Sequence, residues 1–242
     1  LADLIKIQPN VAVVIDKRLK KLFERTYPSI NFFGISEDIS HLDYNKHISM
    51  GGLCEFLRND IEKFNSSFFK SFITDYNIDD QITKLMPKNS GLKIGVSWLT
   101  FAKKNSKRRS LSSQQIASIM ETNNHTFINL QYGDIDSQLN EINKITKKKL
   151  YQVPGIDLTN NLDSLSSIIN NCDLIITIDN STAHLASALG KPVWILIPYY
   201  NDFRWMENSE NSIWYKNALL LRQNKCNDWT LVTNNIISAL DQ

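Results

Sequence analysis

Cysteine is scarce in this 242-residue chain: Cys54, Cys172 and Cys226 are odd in number and far apart. They lack the paired spacing of a thiolate metal site, and they are too few to staple a small secreted fold. The expectation is reduced thiols in a cytoplasmic protein that carries no metal and no other cofactor. Charge of either sign is not in excess, since 27 Lys and Arg face 25 Asp and Glu for a net charge of +2. No global field draws the chain to nucleic acid or to a membrane surface, so no nucleic-acid partner is expected. Long hydrophobic runs are absent too. No apolar stretch approaches the roughly 20 residues needed to cross a bilayer, and residues 1–20 show no basic-then-apolar leader.

What remains is a pattern of short apolar strands separated by amphipathic helices. Strands are predicted at 11–15, 30–33, 92–97, 126–131, 150–153, 174–178, 193–197 and 218–221. Helices are predicted near 17–26, 53–58, 79–85, 112–121, 136–146, 162–171, 182–189 and 230–240. The first residues read as the back half of an amphipathic helix, so the β-α-β rhythm is entered in the middle. A first strand is therefore expected upstream of residue 1. Phe64, Phe68, Phe69, Phe72 and Tyr76 stand at near-helical spacing. Pro87, Gly91 and the polar residues around them suggest a domain boundary. The expected fold class is α/β, with two Rossmann-like halves built on parallel, doubly wound sheets. The expected domains are 1–88, 89–227 and a C-terminal helix over 228–242 that packs back on the first domain.

The most informative segment runs from Asp173 to Pro198. Two buried strands flank a polar turn and a short helix. Ser181 is the expected cap, Gly190 the left-handed stop, and Pro192 the barrier to continuation. Asp179, Asn180, Ser181, Thr182 and His184 thus gather where a parallel strand gives way to a helix N-terminus, a place suited to an anion.

Ligands sit at the carboxyl ends of strands in such sheets. Those ends offer Ser97 and Trp98, then a basic segment with Lys103, Lys104, Lys107, Arg108 and Arg109. They also offer Gln131 with Tyr132, then Asp157 with Leu158, then Asp179 to His184, and lastly Tyr199 to Trp205. The basic segment is either a solvated loop or a phosphate clamp led by Arg109, whose fork grips two oxygens. His184 satisfies a neighbouring carbonyl or faces a bound group. Asp179, at the end of a buried strand, needs a partner at its own turn or on a ligand. Trp98 and Trp194 read as core or pocket wall, whereas Arg204 and Trp205, in a polar loop, read as ligand contacts. Met50-Gly51-Gly52 is a weak glycine turn, and His47 beside it is a candidate to face the cleft.

Residues 173–205 resemble the donor-binding region of bacterial glycosyltransferase family 9, the lipopolysaccharide heptosyltransferases. They resemble still more closely the glycosyltransferase-like domain that follows tetratricopeptide repeats in many bacterial proteins. The matching stretches are Asp173 to Asp179, Ser181 to Ala186, Ala188 to Trp194 and Asp202 to Trp205. Leu92 to Trp98, Arg109 to Leu111, Leu130 with Gln131, and His47 to Leu53 are similar to shorter signatures of the same domain. The resemblance implies a GT-B architecture, with a nucleoside-diphosphate sugar held by the second half and a glycan, lipid or protein acceptor by the first. It implies inverting transfer without a metal, and Ser97, Arg109, Gln131, Asp157, Asp179, Ser181, Thr182 and His184 as donor-site residues. Arg109 and Asp179 are expected to act in catalysis. The family's first strand and its acid-bearing loop have no counterpart here, which leaves His47 as the candidate base. A nucleotide-sugar epimerase and a non-catalytic binding module of a repeat-bearing protein are the rival readings.

Overall fold

In this computed structural model the described residues are 1–65, 70–88, 91–101 and 106–242. They form two compact units, Leu1–Ile73 and Thr74–Gln242. Phe68 and Phe69, Asn89 and Ser90 of the expected boundary, and Lys103 and Lys104 of the basic segment lie outside the described residues.

The first unit contains α1 (Ala2–Ile7), β1 (Ala12–Ile15), α2 (Lys20–Thr26), β2 (Asn31–Gly34), α3 (Leu53–Leu57) and α4 (Glu62–Asn65). β1 and β2 pair in parallel, Ala12 against Asn31 through Ile15 against Gly34. Val13, Ile30 and Phe32 are its buried centre, and Phe23 packs between Phe32 and Phe72 at ring distances of 5.5 and 4.8 Å. The aromatic spacing does not make one helix. Residues 70–75 are not helical, and a new helix begins at Tyr76 because Asp75 caps it by accepting from the N–H groups of Asn77 and Ile78.

The second unit contains α5 (Tyr76–Leu85), β3 (Lys93–Ser97), α6 (Ser106–Arg109), α7 (Ser113–Met120), β4 (Thr126–Asn129), α8 (Asp136–Ile145) and α9 (Leu162–Asn170). It continues with β5 (Leu174–Ile178), α10 (Ser181–Ala188), β6 (Val193–Ile197), a single 3-10 turn at Phe203–Trp205, β7 (Ala218–Arg222) and α11 (Thr230–Leu240). The strands form one five-stranded sheet in the order β4-β3-β5-β6-β7, parallel throughout. Residues expected as a strand at 150–153 contribute only a bridge from Tyr151 to Ile128, with Pro154 closing the segment.

Both faces of the sheet are covered, as unbroken apolar strands require. Side chains alternate along a strand. One set (Ile94, Val96, Leu174, Ile176, Ile178 and Leu196) joins Ile116, Ile119, Met120 and Ile142 of α7 and α8. Trp229, Val232, Ile236 and Leu240 complete that cluster, so the segment 228–242, set apart in the sequence reading, lies in the core of this unit. The other set, including Ile175, Thr177, Ile195 and Ile197, is buried as well; on this second side α10 packs on β5, β6 and α9. Gly95 lets the layers close: a Cβ there would stand 2.5 Å from Leu130 Cδ1 and 2.7 Å from Ile175 Cδ1.

Chain order makes β3 the pivot. The chain leaves β3 for the β4 edge, then returns to the opposite side of β3 to form β5. The topological switch lies between the C-terminal ends of β3 and β5, the position at which open parallel sheets generally take a ligand.

Candidate functional site at the β3–β5 switch

At the end of β3 the chain is held by one side chain. Gln131 Oε1 accepts from the backbone N–H groups of Trp98 (2.9 Å) and Leu99 (2.7 Å) and from Ser97 Oγ (3.2 Å). At the end of β5 Asn180 plays the matching part. Its Nδ2 donates to Ser97 Oγ at 2.9 Å, and its Oδ1 accepts from Thr182 N–H at 2.9 Å and Thr177 Oγ1 at 3.2 Å. Ser97, Gln131, Asn180 and Thr182 are thus brought together as a buried hydrogen-bonded lattice across β4, β3 and β5.

This lattice corrects the expected cap. Asn180, rather than Ser181, is the N-cap of α10, and its carbonyl also accepts from Ala183 N–H at 3.1 Å. An amide oxygen at this position satisfies an orphan helix donor. Ser181 becomes the first helical residue and stays exposed. Gly190 follows the helix at φ +80°, as its sequence position predicts.

Gln131→Leu removes the shared acceptor of two buried backbone donors. We expect a loss of about 2 kcal/mol, because each stranded donor costs about 1–3 kcal/mol. Gln131→Glu keeps the acceptor oxygen, and in its protonated form at pH 4 it can still donate to the Tyr132 carbonyl that Nε2 reaches at 3.1 Å, so at that pH it should lose clearly less in urea unfolding. Equal losses would show that the acceptor is not what holds the end of β3.

Beside the lattice, Arg109 grips the end of β5. Its Nε donates to Asp179 Oδ1 at 2.9 Å and its Nη2 to the Asp179 carbonyl at 2.7 Å. The Asp179 side chain is 3% exposed and that of Arg109 is 27% exposed. Burial pushes the Asp179 carboxyl up to about 6, against the opposing pull of Arg109. The basic segment is helical at this point, since Arg109 ends α6, and Ser110 Oγ accepts from Thr100 N–H at 3.1 Å.

Other expected contacts fall elsewhere. Trp98 is buried in the core cluster. Trp205 is also buried, contrary to a ligand-facing position in a polar loop. Its indole stacks on His184 at 4.9 Å and 20°, because the 3-10 turn folds the loop inward. His184 Nδ1 lies 3.1 Å from Tyr215 Oη, and burial lowers the His184 pKa with Arg204 adding to the effect. Arg204 remains half-exposed and pairs with Asp202 at 2.9 Å. The Asp157 carboxylate closes its own turn, accepting from Thr159 and Asn160 N–H groups and from Asn160 Nδ2, while Leu158 is half-buried. Those bonds to Asn160 and Thr159 hold the Asp157 pKa down. His47 is exposed in the first unit, edge-on to Tyr44 at 6.3 Å.

Sequence reading missed Gln223 and Tyr215. Gln223 follows β7, and the strand-end rule reaches it once applied to that last strand. No local pattern marks Tyr215 as the partner of a histidine thirty-one residues earlier.

No family model matches the chain. Protein FlbA of Caulobacter vibrioides is 24% identical over 234 residues, covering 84% of this chain and 39% of that protein. The chain therefore spans less than half the length of the curated relative it matches. Among solved structures, a glycosyl transferase family 9 protein from Veillonella parvula superposes with a TM-score of 0.59 at 14% identity, over 91% of this chain and 79% of that one. The Escherichia coli ADP-heptose lipopolysaccharide heptosyltransferase II superposes with a TM-score of 0.59 at 11% identity, over 100% and 94% of the two chains. No helix among the described residues is long and apolar enough to cross a membrane. This chain has the α/β fold of the family 9 glycosyltransferases, the heptosyltransferase II structure among them.

Proposed function

We propose that the chain is a glycosyltransferase domain that takes a sugar from a nucleoside-diphosphate donor and passes it, with inversion and without a metal, to an acceptor hydroxyl. One observation carries this reading. At the switch crevice a partly exposed guanidinium is held beside a helix N-terminus by a buried carboxylate. That combination suits charge that develops on a leaving diphosphate. Asp179 fixes the guanidinium plane, which leaves the outer edge of Arg109 for phosphate oxygens. Ser181, exposed at the first turn of α10, adds a hydroxyl near the same mouth. Proton removal from the acceptor falls to His47 in this reading. The likeness to family 9 structures supports the transferase class, and a tetratricopeptide-repeat context belongs to the same proposal.

A binding module without transfer is the second reading. It is favoured by the fact that Asn180 already satisfies the Thr182 and Ala183 amides and Asp179 already engages Arg109. Thermal unfolding against UDP-, GDP-, ADP- and CMP-sugars separates these readings from a chain that binds none. Ligand at about 100 times its dissociation constant adds about 2.7 kcal/mol of stability. Asp179→Ala should remove most of that gain. A melting point that moves with no activated sugar removes both readings, and a shift with no product on any acceptor, once the natural flanking sequence is present, leaves the binding module.

A further inference from the structure

The C-terminal ends of β6 and β7 carry a solvent-open cleft that adjoins the β3–β5 switch through Arg109. Arg108, Arg109, Tyr199, Tyr200, Gln223 and Cys226 line it. Arg108, Arg109, Gln223 and Asn227 bring N–H donors to it, with the Asn227 carboxamide oxygen offering an acceptor as well. Arg108 is exposed, and a guanidinium offers five N–H groups and no acceptor. Gln223 is 6% exposed. Its backbone N–H donates to the Ile197 carbonyl at 2.9 Å, and its Oε1 accepts from Tyr199 N–H at 3.0 Å. Those bonds fix the amide plane, yet Nε2 has no hydrogen-bond partner.

A buried donor without an acceptor is destabilising, so a molecule that brings an acceptor oxygen here is favoured over none. Among the described residues no carboxylate lines the cleft to satisfy Nε2 or to pair with Arg108, whereas Arg109 is already held by Asp179. Asp202, on the neighbouring loop, is paired with Arg204, and Asp228 accepts from Thr230 N–H. The rings of Tyr199 and Tyr200 stand edge to face at 5.1 Å and 89°, both with solvent-exposed surface. Such a pair offers flat apolar surface beside the donors, which suits the C–H face of a saccharide ring.

We infer that this cleft binds an oxyanion carried on a sugar ring, either a carboxylate or a phosphate monoester, with Gln223 and Arg108 as its donors. The sugar as carrier rests on the glycosyltransferase reading; the oxyanion site does not.

Cys226 reports occupancy directly, because its half-buried thiol lines the cleft while Cys54 lies in the first unit and Cys172 is buried. The full chain is alkylated with iodoacetamide at constant ionic strength, and each cysteine is followed by peptide mass spectrometry. Saturating glucuronate or glucose 6-phosphate should slow Cys226 about tenfold and leave Cys54 unchanged, while glucose does nothing. Whichever anion protects identifies the bound group. Gln223→Glu keeps the acceptor for Tyr199 N–H but replaces the donor with a carboxylate oxygen, and it should weaken protection about tenfold, a loss of about 1.4 kcal/mol. Arg108→Gln, at an exposed position, should weaken it too and carries the test if Gln223→Glu fails to fold. Protection by neither anion, equal protection by glucose or by inorganic phosphate, or full protection in both variants overturns the inference. Nucleotide-sugar binding without Cys226 protection would sink this site alone, and Cys226 protection without nucleotide-sugar binding would sink the transferase reading alone.

Discussion

Arg109→Ala should destabilise the chain by about 3 kcal/mol at pH 8 and by much less at pH 5. Removing one partner of a buried ion pair costs about 3–5 kcal/mol when the other charge stays behind. The lower figure applies because the Arg109 side chain is 27% exposed while that of Asp179 is 3% exposed. The remaining charge is a carboxylate whose pKa already stands at about 6 against an ordinary 3.8. Without the guanidinium it rises further, so at pH 5 Asp179 takes a proton and the variant holds a neutral acid. At pH 8 it must hold a buried anion.

The parent chain shows the same sign in weaker form. The folded state binds the extra proton between about 3.8 and about 6. The contribution of Asp179 to stability is therefore full below 3.8 and is lost as pH rises through about 6. Urea unfolding of both proteins at the two pH values measures the difference. Equal losses at pH 5 and pH 8 would mean that the Asp179 charge is not what Arg109 compensates.

The same pair marks the limit of what the sequence conveys. A carboxylate that ends a buried apolar strand must find a partner, and this much follows from Asp179 and its neighbours alone. That the partner is Arg109, seventy residues earlier, follows only from β3 and β5 lying side by side. The strands were legible because Leu174–Ile178 and Val193–Ile197 are continuous apolar runs, which in a parallel sheet have a single reading. The run at 150–153 misled because Leu150, Tyr151 and Val153 look strand-like, yet only Tyr151 pairs, through one bridge to Ile128, before Pro154 ends the segment.

The site was legible in membership more than in role. Ser97, Gln131, Asn180 and Thr182 do converge, but periodicity says nothing of which amide caps which helix. Asn180 and Ser181 are both good caps, and the choice is made by the distance from Asn180 to Ser97 across the sheet. Trp205 failed for a related reason: its polar neighbours Asp202 and Arg204 satisfy each other at the surface and leave the indole free to turn inward.

That inward turn gives the other large effect. Trp205→Ala should cost about 3–5 kcal/mol, the usual range for deleting a fully buried aromatic side chain. The position has little freedom to collapse. Met206 follows at φ +53°, Arg222 donates to the Trp205 carbonyl, and its Nε holds the Ser209 carbonyl at 2.7 Å. The vacated space lies against His184, which the indole covers by stacking. Burial keeps the His184 pKa below its ordinary value, so the ring is neutral at pH 7, while burial pushes the Tyr215 phenol up to about 12. The phenol therefore keeps its proton, and it shares with Nδ1 a hydrogen bond whose direction the imidazole tautomer sets.

With the indole gone, water reaches the imidazole and its pKa should climb toward 6.5, although Arg204 still opposes the charge. In the parent a depressed histidine contributes stability above its unfolded pKa that is lost as pH falls through the folded value. The variant lacks part of that loss, so its deficit should be smaller at pH 5 than at pH 8. Melts at both pH values, with the His184 ring followed by NMR titration, measure the two effects together. A large loss of stability with an unmoved His184 titration would show that the indole fills space without shielding the imidazole. A cost below about 1 kcal/mol would contradict the burial on which the whole loop assignment rests.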